Sequence, residues 1–515
     1  MVPIKIPPEI TSFFGSDWGR SLMIKGRAGT GKTILSLSMM EKLGDIENTF
    51  YISTRVANDS LYSQFHWLRD KEWRENLIDA SMDFLRVLSK GKEFQKFKER
   101  KEDAMERVEK AREMLAAMKG GQESWRKEPP QHVSRSMLDN VDIKEGMIEI
   151  QDIYNRVDKR LPNRSLIIID SIEALVERYN IDPKVLIKTL QKDLVERSGV
   201  KLILVIEEDV STEWDYLVDG YITLKEGESE GKRVRHIYLN KLRGEKITRP
   251  VYLMTLDKGR FNYFQPFKNE LPRLPTEKLP IDDESSDRYQ KQDCFSTGSK
   301  ELDELLDLGL PSNSLVLLEI AESVPLTGKM NIIGPLIINF LMQGRKVVNI
   351  PITSREDSEL RTWFKDAVDQ DLSNHLITFR PEQHLDTEEE TKFNSYRNRV
   401  KDVYKEALYR YKKPLLTVCE MENVEDALSY ISDDVEEETA GRRLLDIMRE
   451  NSELVVGIIR PGLKISQKLK NISDIHLRLF SEHNTLMFTG EKPNLSLYNI
   501  SQEQDKERPR FIPLV

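Results

Sequence analysis

Ser21-Leu22-Met23-Ile24-Lys25, followed by Gly26-Arg27-Ala28-Gly29-Thr30-Gly31-Lys32-Thr33, sets the architecture of this chain. The first five residues are short and mostly apolar, as expected of a strand leaving a buried sheet. The next eight fit G-x-x-x-x-G-K-[ST] at every fixed position. Ile34-Leu35-Ser36-Leu37-Ser38-Met39-Met40 then continues without a breaker as a buried helix. Strand, glycine loop and helix stand in the order that phosphate binding needs. Glycines let the backbone turn tightly so that successive N–H groups face phosphate oxygens, and the helix N-terminus adds its positive dipole end. Gly26, Arg27, Ala28, Gly29, Thr30, Gly31, Lys32 and Thr33 are therefore the expected phosphate cradle. Lys32 is expected to bridge the β- and γ-phosphates, and Thr33 to put its hydroxyl on magnesium.

A magnesium site of this kind needs a second oxygen ligand at the end of a neighbouring strand. Leu166-Ile167-Ile168-Ile169-Asp170 supplies one, four apolar residues closing on Asp170. In open α/β sheets ligands sit at the carboxyl ends of strands, so Thr33 and Asp170 are the expected metal ligands.

The surrounding chain alternates strand and helix. Thr49-Phe50-Tyr51-Ile52-Ser53 and Lys201-Leu202-Ile203-Leu204-Val205-Ile206 read as further strands, and three closely spaced strands beginning near Gly220, Val234 and Pro250 are expected to finish the sheet antiparallel. Between about residues 60 and 160 lies a charged stretch that the sheet does not require. Phe94, Phe97, Met105, Val108, Met114, Leu115 and Met118 keep helical spacing there, which predicts a long charged helix or hairpin arm over residues 90–119. Either a solvated face or a partner-binding arm fits that pattern.

Pro266, Pro272, Pro275 and Pro280 with the acidic run Asp282-Asp283-Glu284 mark a linker over 266–292, separating a domain at 1–265 from one at 293–515. The second half repeats the first in outline. Ser314-Leu315-Val316-Leu317-Leu318-Glu319-Ile320 precedes Gly328-Lys329, with Ser323 in the first glycine's place and Met330 in the hydroxyl position. Losing the hydroxyl removes a magnesium ligand, and Pro325 interrupts the run of N–H donors. Pro414-Leu415-Leu416-Thr417-Val418-Cys419-Glu420 parallels the Asp170 strand. The fold class expected is thus α/β: two tandem P-loop domains with mostly parallel sheets, the second degenerate.

Composition bounds the function. Lys and Arg number 78 against 87 Asp and Glu, a net charge of −9, which does not favour general nucleic-acid binding. Cys294 and Cys419 cannot form a disulfide framework or a four-ligand zinc site. The chain contains no apolar run of membrane-spanning length and no signal-peptide core at its start, so a cytoplasmic protein is expected.

Thr297-Gly298-Ser299-Lys300-Glu301-Leu302-Asp303 resembles the "TG-x-x-x-LD" opening of RecA-superfamily domains of the KaiC type, and Lys241-Leu242-Arg243-Gly244 resembles their "K-x-R-G" stretch. The N-terminal Pro7-Pro8-Glu9-Ile10 with Phe13-Phe14, and Ser53-Thr54-Arg55-Val56, are similar to the archaeal GvpD gas-vesicle regulator group. The resemblance implies an ATP- and Mg2+-binding RecA/KaiC-like protein with Lys32 and Asp170 in catalysis. It also implies that Lys241 and Arg243 reach a neighbour's γ-phosphate as an arginine finger does. Arg55 and Val56 stand where KaiC-type ATPases carry paired glutamates, and an arginine cannot take a proton at neutral pH. Glu173 and Glu207 are the remaining water-orienting candidates. The expected function is a regulatory nucleotide switch or slow ATPase acting through a protein partner or homo-oligomer. A DNA-dependent motor and a non-hydrolysing scaffold are the alternatives.

Overall fold

The computed structural model describes residues 4–44, 48–69, 73, 76–79, 147–210, 212–272, 294–365, 374–379, 389–409, 414–431, 434–502 and 509–515. The chain separates into two compact units, one of Met1–Tyr263 with Val515 and one of Phe264–Leu514. The predicted arm over 90–119 and the later part of the linker lie outside the described residues.

The first unit is built on a sheet of nine described strands: β1 Arg20–Lys25, β2 Thr49–Ser53, β3 Leu77–Asp79, β4 Leu166–Asp170, β5 Lys201–Ile206, β6 Gly220–Ser229, β7 Lys232–Leu242, β8 Val251–Thr255 and β9 Asn262–Tyr263. Their order is β3-β2-β4-β5-β1-β6-β7-β8-β9. The pairs from β3 through to β6 are parallel and the last three antiparallel. Parallel strands covered by helices on both faces must be apolar at nearly every position, which is why β4 reads Leu-Ile-Ile-Ile. Alternate residues feed two cores. Leu22, Ile24 and Ile168 pack on one face, and Met23, Ile167 and Ile169 on the other.

Two expectations are corrected. β6 pairs with β1 in parallel, and the antiparallel run begins only at β7. The chain leaving β5 descends to the start of β1 before turning, and Asp219 fixes that descent by accepting hydrogen bonds from the Ser21 amide and hydroxyl at 3.2 Å each. The described flanks of the charged stretch also belong to the fold. β3 extends the sheet, and Ile150, Ile153 and Val157 of the helix Ile148–Asp158 are core residues.

The second unit repeats the arrangement with β12 Ser314–Ile320, β13 Lys346–Ile350, β14 Leu376–Thr378, β15 Leu415–Glu420, β16 Leu454–Ile459, β17 Ile475–Glu482, β18 Thr485–Lys492, β19 Tyr498–Ser501 and β20 Arg510–Pro513. Their order, β14-β13-β15-β16-β12-β17-β18-β19-β20, matches the first sheet strand for strand. The short pair β10 Cys294–Phe295 and β11 Leu310–Pro311 precedes it. The two units are tandem α/β P-loop-type domains with mostly parallel sheets. Among the described residues no helix is long and apolar enough to cross a membrane.

The T-G-x-x-x-L-D segment has a physical basis. Buried Asp303 accepts from the Ser296 hydroxyl at 2.5 Å and from the Thr297 amide and hydroxyl at 2.7 Å each, while Leu302 enters the core. Gly298 has φ +78°, and a Cβ there would lie 2.2 Å from the Pro335 carbonyl oxygen, so only glycine fits. Asp303→Ala would strand these buried donors, each costing about 1–3 kcal/mol. We expect a loss of about 3 kcal/mol or more in the stability of the second unit, read as faster amide hydrogen exchange along β12. Unchanged exchange there would contradict the assignment.

Candidate functional site

The glycine loop, residues 26–31, joins β1 to the helix Lys32–Leu43. Gly29 and Gly31 take φ of +83° and +101°, and a Cβ on Gly31 would meet Leu256 Cδ1 at 2.6 Å. The Gly26 amide donates to the Glu208 carbonyl at 2.9 Å, tying the loop to the exit of β5. Thr30 Oγ1 and Lys32 Nζ both donate to the Arg27 carbonyl, at 2.9 and 2.8 Å, so the buried lysine folds back over the loop. Burial lowers its pKa, opposed by the carboxylates of Glu207, Asp170 and Glu173.

Beneath the loop, Thr33 Oγ1 donates to Asp170 Oδ2 at 2.7 Å. Tyr51 donates its hydroxyl to the same oxygen at 2.6 Å. Burial pushes the Asp170 carboxyl up against the pull of these donors and of Lys32, and burial beside Asp170 holds the Tyr51 hydroxyl well above its ordinary value, so it stays a donor. The hydroxyl and carboxylate oxygens in contact are the ligand types a hard divalent cation takes. Tyr51 carries no motif signal. It reaches Asp170 because parallel register sets it opposite Ile168 and so beside the end of β4.

The rim is built from strand ends. The Thr54 amide donates to the Asp170 carbonyl at 2.8 Å, and Thr54 Oγ1 accepts from the Ser171 amide at 2.7 Å. This stitching projects Arg55 past the sheet. Its guanidinium pairs closely with Glu207, at the end of β5, and sits 3.9 Å from Glu177. Glu173 accepts from the Glu207 amide at 2.6 Å, and burial raises its pKa. Lys32, Asp170, Glu173, Glu207 and Arg55 thus gather at one end of the sheet.

Lys241 and Arg243 do not join them. Lys241 pairs in register with Tyr221, which lies beside Met23 partway along β1. Its ammonium donates to the carbonyls of Asp215 and Val218 at 3.0 and 2.7 Å, and Arg243 pairs with Asp219 at 3.2 Å.

The second unit resolves the equivalent position differently. Its helix Leu326–Met342 starts before Lys329, and the Gly328 and Lys329 amides are already bonded to the Pro325 carbonyl, at 2.9 and 3.3 Å. Lys329 forms a buried pair with Glu420 and lies 3.5 Å from Glu356. Burial raises the Glu420 carboxyl, which Lys329 counteracts. Met330 packs into the core. Leu326, Met330, Ile333, Ile337, Leu360 and Trp363 line an apolar pocket beside the pair. The Trp363 indole donates to the Pro272 carbonyl at 3.0 Å, so the described start of the linker packs within this unit.

Two comparisons show which known proteins this sequence is similar to. The family model described as GvpD gas vesicle protein, P-loop domain, matches residues 10–92 and 133–240. Protein GvpD2 of Halobacterium salinarum is 23% identical over 543 aligned positions, covering 98% of this chain and 95% of the relative. Protein GvpD1 of the same organism is 24% identical over 351 positions, covering 68% of this chain and 56% of its own length.

Removing one member of a buried ion pair leaves the other charge uncompensated. Lys329→Ala is expected to destabilise the second unit by about 3–5 kcal/mol, and the double change Lys329→Met with Glu420→Leu to restore most of that loss. Urea unfolding of the full chain would test this, and equal stability of the single variant and wild type would refute it.

Proposed function

We propose that this chain, a GvpD-like P-loop protein, binds ATP with magnesium at residues 26–33 and works as a regulatory nucleotide switch with slow hydrolysis, acting through a protein partner. The observation that carries this reading is the contact of Thr33 with Asp170 beneath a complete phosphate loop. Lys32, buried and in the field of three carboxylates, is poised to meet phosphate oxygens through charge-assisted hydrogen bonds. Thr33 and Asp170 would hold magnesium, which supplies charge neutralisation for phosphoryl transfer. Lys241 and Arg243, whose like in KaiC-type proteins reaches a neighbour's γ-phosphate, would serve a neighbouring copy in this reading. The family description names gas vesicle proteins, and a role connected with gas vesicles is the biological setting we propose.

Slow turnover follows from Arg55. General-base assistance is worth about 10²–10⁴-fold, and the group at the end of β2 cannot provide it. Phosphate binding by the loop amides and Lys32 is spared, because those contacts do not require a base at that position. A non-hydrolysing scaffold is the second reading, favoured by the same Arg55. The net charge of −9 weighs against a DNA-dependent motor.

Lys32→Ala is expected to abolish magnesium-dependent ATP binding by calorimetry, with no residual binding of the kind a working second site would supply. Asp170→Asn should keep part of the affinity and lose much of its magnesium dependence. Wild-type turnover should fall below the common range of roughly 1–10³ per second, with or without DNA. Wild-type affinity in Lys32→Ala would overturn the binding site, and unassisted turnover of several per second would overturn the switch.

A further inference from the structure

Arg55 and Glu207 stand at the ends of β2 and β5, the two strands that flank β4. Their ion pair therefore spans the end of the strand that carries Asp170. Both act electrostatically on Lys32. Glu207 is not a loosely held surface carboxylate, since its backbone is pinned by Glu173. Arg55 is held from behind by the Thr54 contacts to Asp170 and Ser171. The guanidinium and carboxylate themselves are 39% and 37% exposed. A half-exposed pair is weak, so a stronger anion at the same place can break it. A terminal phosphate is such an anion, with more charge than a carboxylate and oxygens that match the guanidinium fork.

We propose that Arg55 is the residue that distinguishes triphosphate from diphosphate, and that Glu207 holds it in reserve. The proposal rests on the nucleotide reading above. Before nucleotide arrives, Glu207 neutralises Arg55 and keeps it folded across the end of β4, with Glu177 as a second, more distant carboxylate. A ligand ending at the β-phosphate is met by the loop amides and Lys32 and leaves the pair intact. A ligand with a γ-phosphate competes for Arg55 and opens the pair. Glu207 is a positioning residue in this scheme, acting through Arg55.

The test is a double-mutant cycle on the full-length protein, with ADP and a non-hydrolysable ATP analogue as probes in magnesium. Arg55→Ala is expected to weaken the triphosphate analogue about tenfold or more and to leave ADP within about twofold. Glu207→Gln is expected to tighten the analogue about threefold or more, with ADP unchanged, because Arg55 is freed. In the Arg55→Ala background the same Glu207→Gln change should have no effect. If Glu207 merely repelled phosphate, its effect would persist in that background, and that result overturns the proposal. Equal loss of both nucleotides in Arg55→Ala overturns it as well. A wild-type protein that binds neither nucleotide overturns the function proposed above together with this inference. Wild-type binding of both, with variants indistinguishable from it, overturns the inference alone.

Discussion

A carboxylate buried at the carboxyl end of a central parallel strand must find a partner, since an isolated buried charge costs many kcal/mol. Both units carry one, Asp170 on β4 and Glu420 on β15, each aligned against the strand that follows it in the sheet. The first unit satisfies its carboxylate with two neutral hydroxyls, Thr33 and Tyr51. Hydroxyls leave the negative charge in place, so the site still favours a cation, and Lys32 remains free to bond only its own loop. The second unit satisfies its carboxylate with the loop lysine itself. Lys329 and Glu420 thereby neutralise each other inside the unit, with Glu356 as a second carboxylate beside the lysine.

Much of the first site was legible because it is written locally. Strand, loop and helix follow one another within a short span, and Asp170 closes an apolar run whose meaning does not depend on distant residues. The duplication was legible in the apolar runs for the same reason. What remained hidden depends on register between strands far apart in the chain. Tyr51 meets Asp170, and Arg55 meets Glu207, only because β2, β4 and β5 lie side by side. β3 was lost inside a charged stretch because three residues give no usable period. The parallel entry of β6 depends on Asp219 reaching back to Ser21, a contact across 198 positions.

Counting along a motif also misled where the backbone had changed. Counting back from Gly328 and Lys329 sets Ser323 against Gly26. Register gives another answer. Leu22 pairs with Ile203 and Gly220, as Val316 pairs with Val456 and Ile475, so Gly26 follows its strand where Ile320 ends the other. The additional residues were absorbed by starting the second helix earlier. That shift puts the Gly328 and Lys329 amides in hydrogen bonds to the Pro325 carbonyl, an effect separate from the loss of the Thr33 hydroxyl.

The same register exposes a charge inversion. Lys25 lies opposite Ile206, and Glu319 opposite Ile459, so the two are equivalent. Buried Lys25 binds Asp215 at 2.7 Å and holds the segment after β5 against the base of the phosphate loop. Glu319 instead accepts from His476 and Lys470 at 2.9 Å each, with Arg478 at 3.4 Å; despite burial these hold its carboxyl down at about 2. One strand further, Glu207 is matched by Arg460, which faces Glu422 at 3.7 Å. At each of these positions the second unit has exchanged the sign of the charge, and in both units the charge has an internal partner. The fold tolerates either sign, because strand order and core packing are set by apolar residues. Ligand binding does not, because it requires buried charges whose pairing is incomplete. Among the described residues Lys32 bonds its own loop and the Asp170 carboxylate accepts from neutral hydroxyls, whereas in the duplicated sheet Lys329 and Glu420 are paired with each other.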